Sequence, residues 1–144
     1  MALFSTDSKV RALKQAPLFA GLSKKELVAL AKATEDMEFE TGTVLCKQGA
    51  IGSEFFVIVE GEVEVTQGGK KLRTAGGGDF FGEIALIESV RRTATVTTTT
   101  PVRAFVLTKR SFGRLLENSP QVERKVLRAL AKRVAALAGD PASV

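Results

Sequence analysis

Between Val44 and Leu107 the chain is cut into short stretches that leave little room for anything but strands. VLC (Val44–Cys46), FFVIV (Phe55–Val59), EVEVT (Glu62–Thr66), TATVTTTT (Thr93–Thr100) and VRAFVL (Val102–Leu107) are rich in β-branched or aromatic residues, and glycine or proline divides them. In EVEVT the alternation places Val63 and Val65 on one face and the glutamates on the other. Gly68-Gly69, just before KKLRT, suits a tight hairpin turn. Short strands at regular intervals predict an antiparallel, jelly-roll-like barrel or β-roll over about residues 37–107.

Helical spacing lies on both sides of that region. Ser5, Thr6 or Asp7 can cap a first helix carrying Val10 and Leu13, and Pro17 ends or bends it. Ser23-Lys-Lys-Glu26 reads as a capping box opening a helix with Leu27, Leu30 and Ala31 on one stripe. After Leu107, Thr108 caps a helix bearing Phe112, Leu115 and Leu116. Ser119-Pro120 then starts a longer helix, with Val122, Val126, Leu130, Val134 and Leu137 on one stripe and Leu127 beside it. Gly139 and Pro141 stop it. The expected class is α+β: an antiparallel β-roll flanked by N-terminal helices and by C-terminal helices over about 108–138, in one domain spanning 1–144.

Composition removes several kinds of chemistry. The chain has no histidine, so imidazole metal sites and histidine-based triads are unavailable. Cys46 is the only cysteine, so no internal disulfide is possible, which fits the cytoplasm. No apolar run is long enough to span a bilayer. The formal charge of +5 is uneven: Glu35 to Glu64 is acidic and the last two helices are basic. Solvated faces account for that, and no nucleic-acid partner is expected.

The stretch FGEIALIESVRRTATV (Phe81–Val96) sets Glu83 in an apolar run with two arginines soon after. Buried charges are costly unless paired, so these face water, each other or a ligand. Following GGGD, the segment reads as a loop turning into one short helix, whose first N–H groups attract anions. Gly82 allows close backbone approach. Glu83 suits a sugar hydroxyl, and Arg92 offers a planar fork for phosphate. Ala85 and Ala94 leave room. Acid for a hydroxyl, arginine and amides for phosphate, and apolar walls for a base describe a nucleotide pocket.

FGEIAL, five residues, then RTATVTT resembles the phosphate-binding cassette of cyclic nucleotide-binding domains, and LCKQGAIGSEFFVIVEG (Leu45–Gly61) is similar to that family's glycine-centred turn. The resemblance covers roughly Leu18–Leu137 and implies a β-roll with a final helix folding over the base as a lid. It implies that Gly82 and Glu83 meet the ribose 2′-hydroxyl, that Ile84 and Ala85 give backbone N–H groups to the cyclic phosphate, that Arg92 pairs with its charge and that Thr93 adds a hydroxyl. Phe81 and Ala94 belong to the same cassette. Val65 and Leu72 fall where the family lines the base pocket, and both are expected in the core. Arg133 falls where some members cap the base. Ala50 departs from the family, many of whose members carry an acid there.

The function so implied is a stand-alone, non-enzymatic receptor for a cyclic nucleotide, with no metal and with cyclic AMP slightly favoured over cyclic GMP. An effector protein or a second copy would read its C-terminal helices. The alternative is a β-roll interaction module that binds no nucleotide, its cavity filled by its own side chains.

Overall fold

Two four-stranded antiparallel sheets form the body of the computed structural model, which describes residues 5–138. The strands are β1 (Glu35–Phe39), β2 (Val44–Cys46), β3 (Glu54–Glu60), β4 (Val63–Gln67), β5 (Lys70–Ala75), β6 (Phe80–Phe81), β7 (Thr95–Thr98) and β8 (Val102–Thr108). One sheet runs β1-β8-β3-β6 and the other β2-β7-β4-β5. The helices are α1 (Thr6–Lys14), α2 (Lys24–Ala33), α3 (Lys109–Asn118) and α4 (Pro120–Ala138). Single 3-10 turns lie at Pro17–Phe19 and Glu83–Leu86. This is the expected α+β roll.

The central strands explain their own sequences. Phe55 and Val57 of β3, with Phe105 and Leu107 of β8, pack under the helices. Phe56 and Ile58, with Ala104 and Val106, face the second sheet. Both faces are covered, so these strands read as unbroken apolar runs, whereas β4 buries only Val63 and Val65 on its inner face. Phe19, in the first 3-10 turn, joins strands to helices: its ring lies 5.7 Å from that of Phe55 and 5.8 Å from that of Phe112.

The caps lie where the sequence puts them. Ser5 is the N-cap of α1, its Oγ accepting from the Ser8 amide at 3.2 Å. Ser23 and Glu26 exchange both capping-box bonds, at 2.8 and 3.2 Å. Thr108 caps α3, accepting from the Ser111 amide at 3.1 Å.

Three expectations change. Leu72 is not in the core but 55% exposed, because the β4–β5 register passes from Val65↔Arg73 to Thr66↔Lys71 and leaves Leu72 as the extra residue of a bulge on an edge strand. The threonine-rich strand is only Thr95–Thr98, the span for which β4 supplies partners. The α4 stripe also breaks up. Val122 and Val126 are buried and Leu130 is partly so, whereas Leu127 and Val134 are each 65% exposed. The body meets the face carrying Val122, Val126, Ala129, Leu130 and Arg133, and Val134 lies a residue around the helix from it. The Leu137 side chain, Gly139 and Pro141 lie outside the described residues. No helix among those described is long and apolar enough to cross a membrane.

Lys125 of α4 bonds Glu26 of α2 at 2.7 Å, fastening the final helix to the N-terminal pair. That bond, with the Ser23 amide, holds the Glu26 carboxyl below its ordinary value of 4.5. A depressed carboxyl contributes stability above its unfolded pKa and loses it as pH falls through the folded one. Lys125→Met therefore lowers the urea midpoint at about pH 6, and the gap from the parent chain closes by about pH 3. Phe19→Ala, removing a fully buried ring shared by strands and helices, costs about 3–5 kcal/mol in the same measurement at neutral pH.

Candidate functional site

A cavity of about 480 Å³ opens where the Phe80–Leu86 segment passes the inner face of β4 and β7 and the flank of α4. Cys46, Val65 and Val96 supply apolar wall, with Phe81 and Ala94 beside them. Gly82, Glu83, Ile84 and Ala85 line it, with the Arg92 guanidinium beside Gly82 and Thr93 next in the chain, and Arg133 lines it from α4. Ten of the residues singled out from sequence thus line one space. Leu72 does not line it; Arg73, its neighbour, does.

The short helix expected after GGGD is the 3-10 turn Glu83–Leu86. Gly82 precedes it at φ 86°, a left-handed conformation natural to glycine. The Ala85 amide donates to the Gly82 carbonyl at 3.0 Å, so here it serves the turn itself. Ile84 is 38% exposed at the cavity rim.

Glu83 is 4% exposed and has found two partners. Its Oε2 accepts from the Leu18 amide at 3.3 Å, and its Oε1 forms an ion pair with Arg133 Nη1. Glu83 and Arg92 do not pair with each other. Nor does Arg133 stand free over a base: on the packed face of α4 its guanidinium meets the carboxylate expected to hold ribose. Two distant segments, one before the roll and one after it, thereby share one side chain.

Arg92 occupies a slot made by glycines. A Cβ at Gly52 would fall on its Nε and Cζ, and one at Gly82 would fall on its Nη1. Its Nη2 donates to the Glu54 carbonyl at 2.7 Å. Its backbone is also held: its amide donates to the Ala50 carbonyl at 2.7 Å, and its carbonyl accepts from the Gly49 amide at 2.8 Å. The turn GAIG thus positions Arg92 through its main chain, by bonds that do not use the Ala50 side chain. Gly52 is the residue that the sequence reading missed; its signal was a second glycine three residues after the first.

The remaining groups set the field. Arg91 is exposed and donates to the Gly49 carbonyl at 2.7 Å. The Thr93 carbonyl accepts from Gln67 Nε2 at 2.9 Å, so this residue lies just before β7. Burial pushes the Cys46 thiol up, and the Arg92 guanidinium pulls it back less strongly. Arginines 73, 91, 92 and 133 line the cavity against one carboxylate, Glu83, an arrangement for an anion.

Comparison with known proteins agrees with this geometry. A family profile described as "Cyclic nucleotide-binding domain" matches residues 36–119. The chain is 36% identical over 118 residues to a cAMP-dependent protein kinase regulatory subunit of Schizosaccharomyces pombe, covering 81% of this chain and 29% of that protein. It is 38% identical over 95 residues to a cGMP-dependent protein kinase of Eimeria tenella, covering 66% of this chain and 10% of that one. The chain therefore spans less than a third of the length of these relatives. Among solved structures, the N-terminal domain of a transcriptional regulator from Streptomyces coelicolor A3(2) superposes with a TM-score of 0.81 at 27% identity, over 88% of this chain and 94% of that one. A carboxylate and an arginine lining one cavity, on this roll and with this match, make the chain a member of the cyclic nucleotide-binding domain family.

Proposed function

We propose that the cavity receives a cyclic nucleotide and that α4 reports its arrival. The observation that carries this reading is the lining of one cavity by Glu83, the seated Arg92 and a continuous apolar wall. Its volume, about 480 Å³, is of the size small-molecule sites have. Glu83 takes the ribose 2′-hydroxyl. A carboxylate has about four acceptor positions, so the hydroxyl joins Leu18 and Arg133 or displaces one of them. Arg92 takes the cyclic phosphate with the N–H donors that Glu54 leaves over, and Ile84, Ala85 and Thr93 complete that end. The purine lies against Val65, Phe81 and Ala94. Ribose and cyclic phosphate are common to cyclic AMP and cyclic GMP, so these contacts carry no preference.

The lid follows from the shared carboxylate. A ligand moves α4 only as far as it binds one arrangement of α4 better than another. Competition for Glu83 between ribose and Arg133 supplies such a difference. We assign the effector or second copy to the outer face of α4, where Leu127 and Val134 stand exposed. A cytoplasmic setting belongs to the same proposal, since a single cysteine allows no internal disulfide. Against the interaction-module reading, the cavity keeps its volume with Arg133 in place, so the chain's own side chains do not fill it.

Calorimetric titration of nucleotide-stripped protein with cyclic AMP and cyclic GMP tests the proposal; no heat from folded, empty protein would return the interaction module. Arg92→Ala removes charge-assisted bonds and weakens binding ~10- to 150-fold. Gly52→Ala leaves the fold intact but evicts the movable Arg92 guanidinium, weakening binding by at least about tenfold. An affinity unchanged in either variant would sink the Arg92 assignment.

A further inference from the structure

We propose that the basic β4–β5 hairpin of one copy docks in an acidic groove beside β1 of another, so that copies join through two different surfaces. Each sheet has one long open edge. β1 pairs only with β8, and β5 only with β4, whereas the other two edges, β2 and β6, are three and two residues long. An open edge is a place where a second chain can add. The two long edges differ in sign. β1 carries Glu35, Asp36 and Glu38 and no base, and β5 carries Lys70, Lys71 and Arg73 and no acid. Like charges set opposite each other repel, so neither edge suits its own kind and each suits the other.

The groove lies where β1 ends. It encloses about 700 Å³ and is lined by Glu38, Glu40 and Glu60 with Phe39, Pro101 and Arg103. Within the chain Lys9 pairs with Asp36 at 2.8 Å and Arg103 with Glu38 at 3.5 Å. Among the described residues the Glu40 and Glu60 carboxylates have no ion-pair partner, and neither have the Lys70 and Lys71 ammonium groups. All four residues are exposed. Lys70 and Lys71 directly follow the Gly68-Gly69 turn, at the tip of the hairpin. The Leu72 bulge interrupts β5 just beyond them, so regular strand pairing stops there and the contact rests on these charges. It uses no residue of α4, whose outer face stays free for the effector. One copy gives a hairpin and the other a groove, so a joined pair keeps one of each unused and can add further copies.

Sedimentation velocity of the 144-residue chain over a concentration series tests this. In about 0.02 M salt the chain should associate, passing beyond the dimer as concentration rises, and about 0.5 M salt, which screens exposed charges, should return it to monomer. Two variants reverse one surface each, at exposed positions: Lys70→Glu with Lys71→Glu, and Glu40→Lys with Glu60→Lys. Each alone should associate at least about tenfold more weakly than the parent chain. An equimolar mixture of the two should associate as the parent does, because the basic hairpin of one meets the acidic groove of the other. A parent chain that stays monomeric at every concentration in low salt would overturn the proposal. So would a mixture that associates no better than its components. Association left unchanged by both reversals would place the second copy on another face, such as the outside of α4, and would overturn it equally.

Discussion

A carboxylate that is 4% exposed must be given partners, and the partners of Glu83 come from both ends of the chain. The Leu18 amide arrives from the 3-10 turn before α2, and the Arg133 guanidinium from the far half of α4. Stranding such a charge would cost more than most single contacts return, so the elements that satisfy it are held together by it. Without Glu83, the 3-10 turn and α4 would meet the roll through the apolar contacts of Phe19, Val122 and Val126, with Lys125 tying α4 only to α2. Glu83 adds a directional contact, pairing with Arg133 on the face of α4 that Val122 and Val126 already bury.

On the proposed function, the same residue would make the site responsive. A pocket whose polar groups were all satisfied by rigid backbone would bind without altering anything else. Here the group proposed to take the sugar hydroxyl is already engaged by Arg133 of α4. Under that proposal, binding and motion of α4 would be coupled through one carboxylate of finite acceptor capacity. Arg92 is the opposite kind of group. Two glycines, a carbonyl and a main-chain turn seat it, so it offers charge that is already in position.

Much of the roll was legible because its signals are local. Alternation in EVEVT, double-sided apolar runs in FFVIV and VRAFVL, and capping residues at Ser5, Ser23 and Thr108 each act within a few residues of themselves. Leu72 was misread because a strand's inward face depends on register, and a bulge shifts register without any mark in a run such as KKLRT. Val134 was misplaced because helical periodicity shows that a stripe exists but not which neighbour covers it, or how far along. Gly52 was passed over because its role is the space it leaves for a side chain forty residues later.

The sequence by itself determined the class of fold, the order of its elements and the residue types of the cassette, since propensity, periodicity and spacing are properties of neighbouring residues. Only the tertiary structure decided what each charge does. It put Glu83 with Arg133 rather than Arg92, lodged Arg92 between Gly52 and Gly82, and turned Arg73 into the cavity and Leu72 out of it. Those pairings depend on distances between residues far apart in the chain, and the energy of a charge is set by what folding brings beside it.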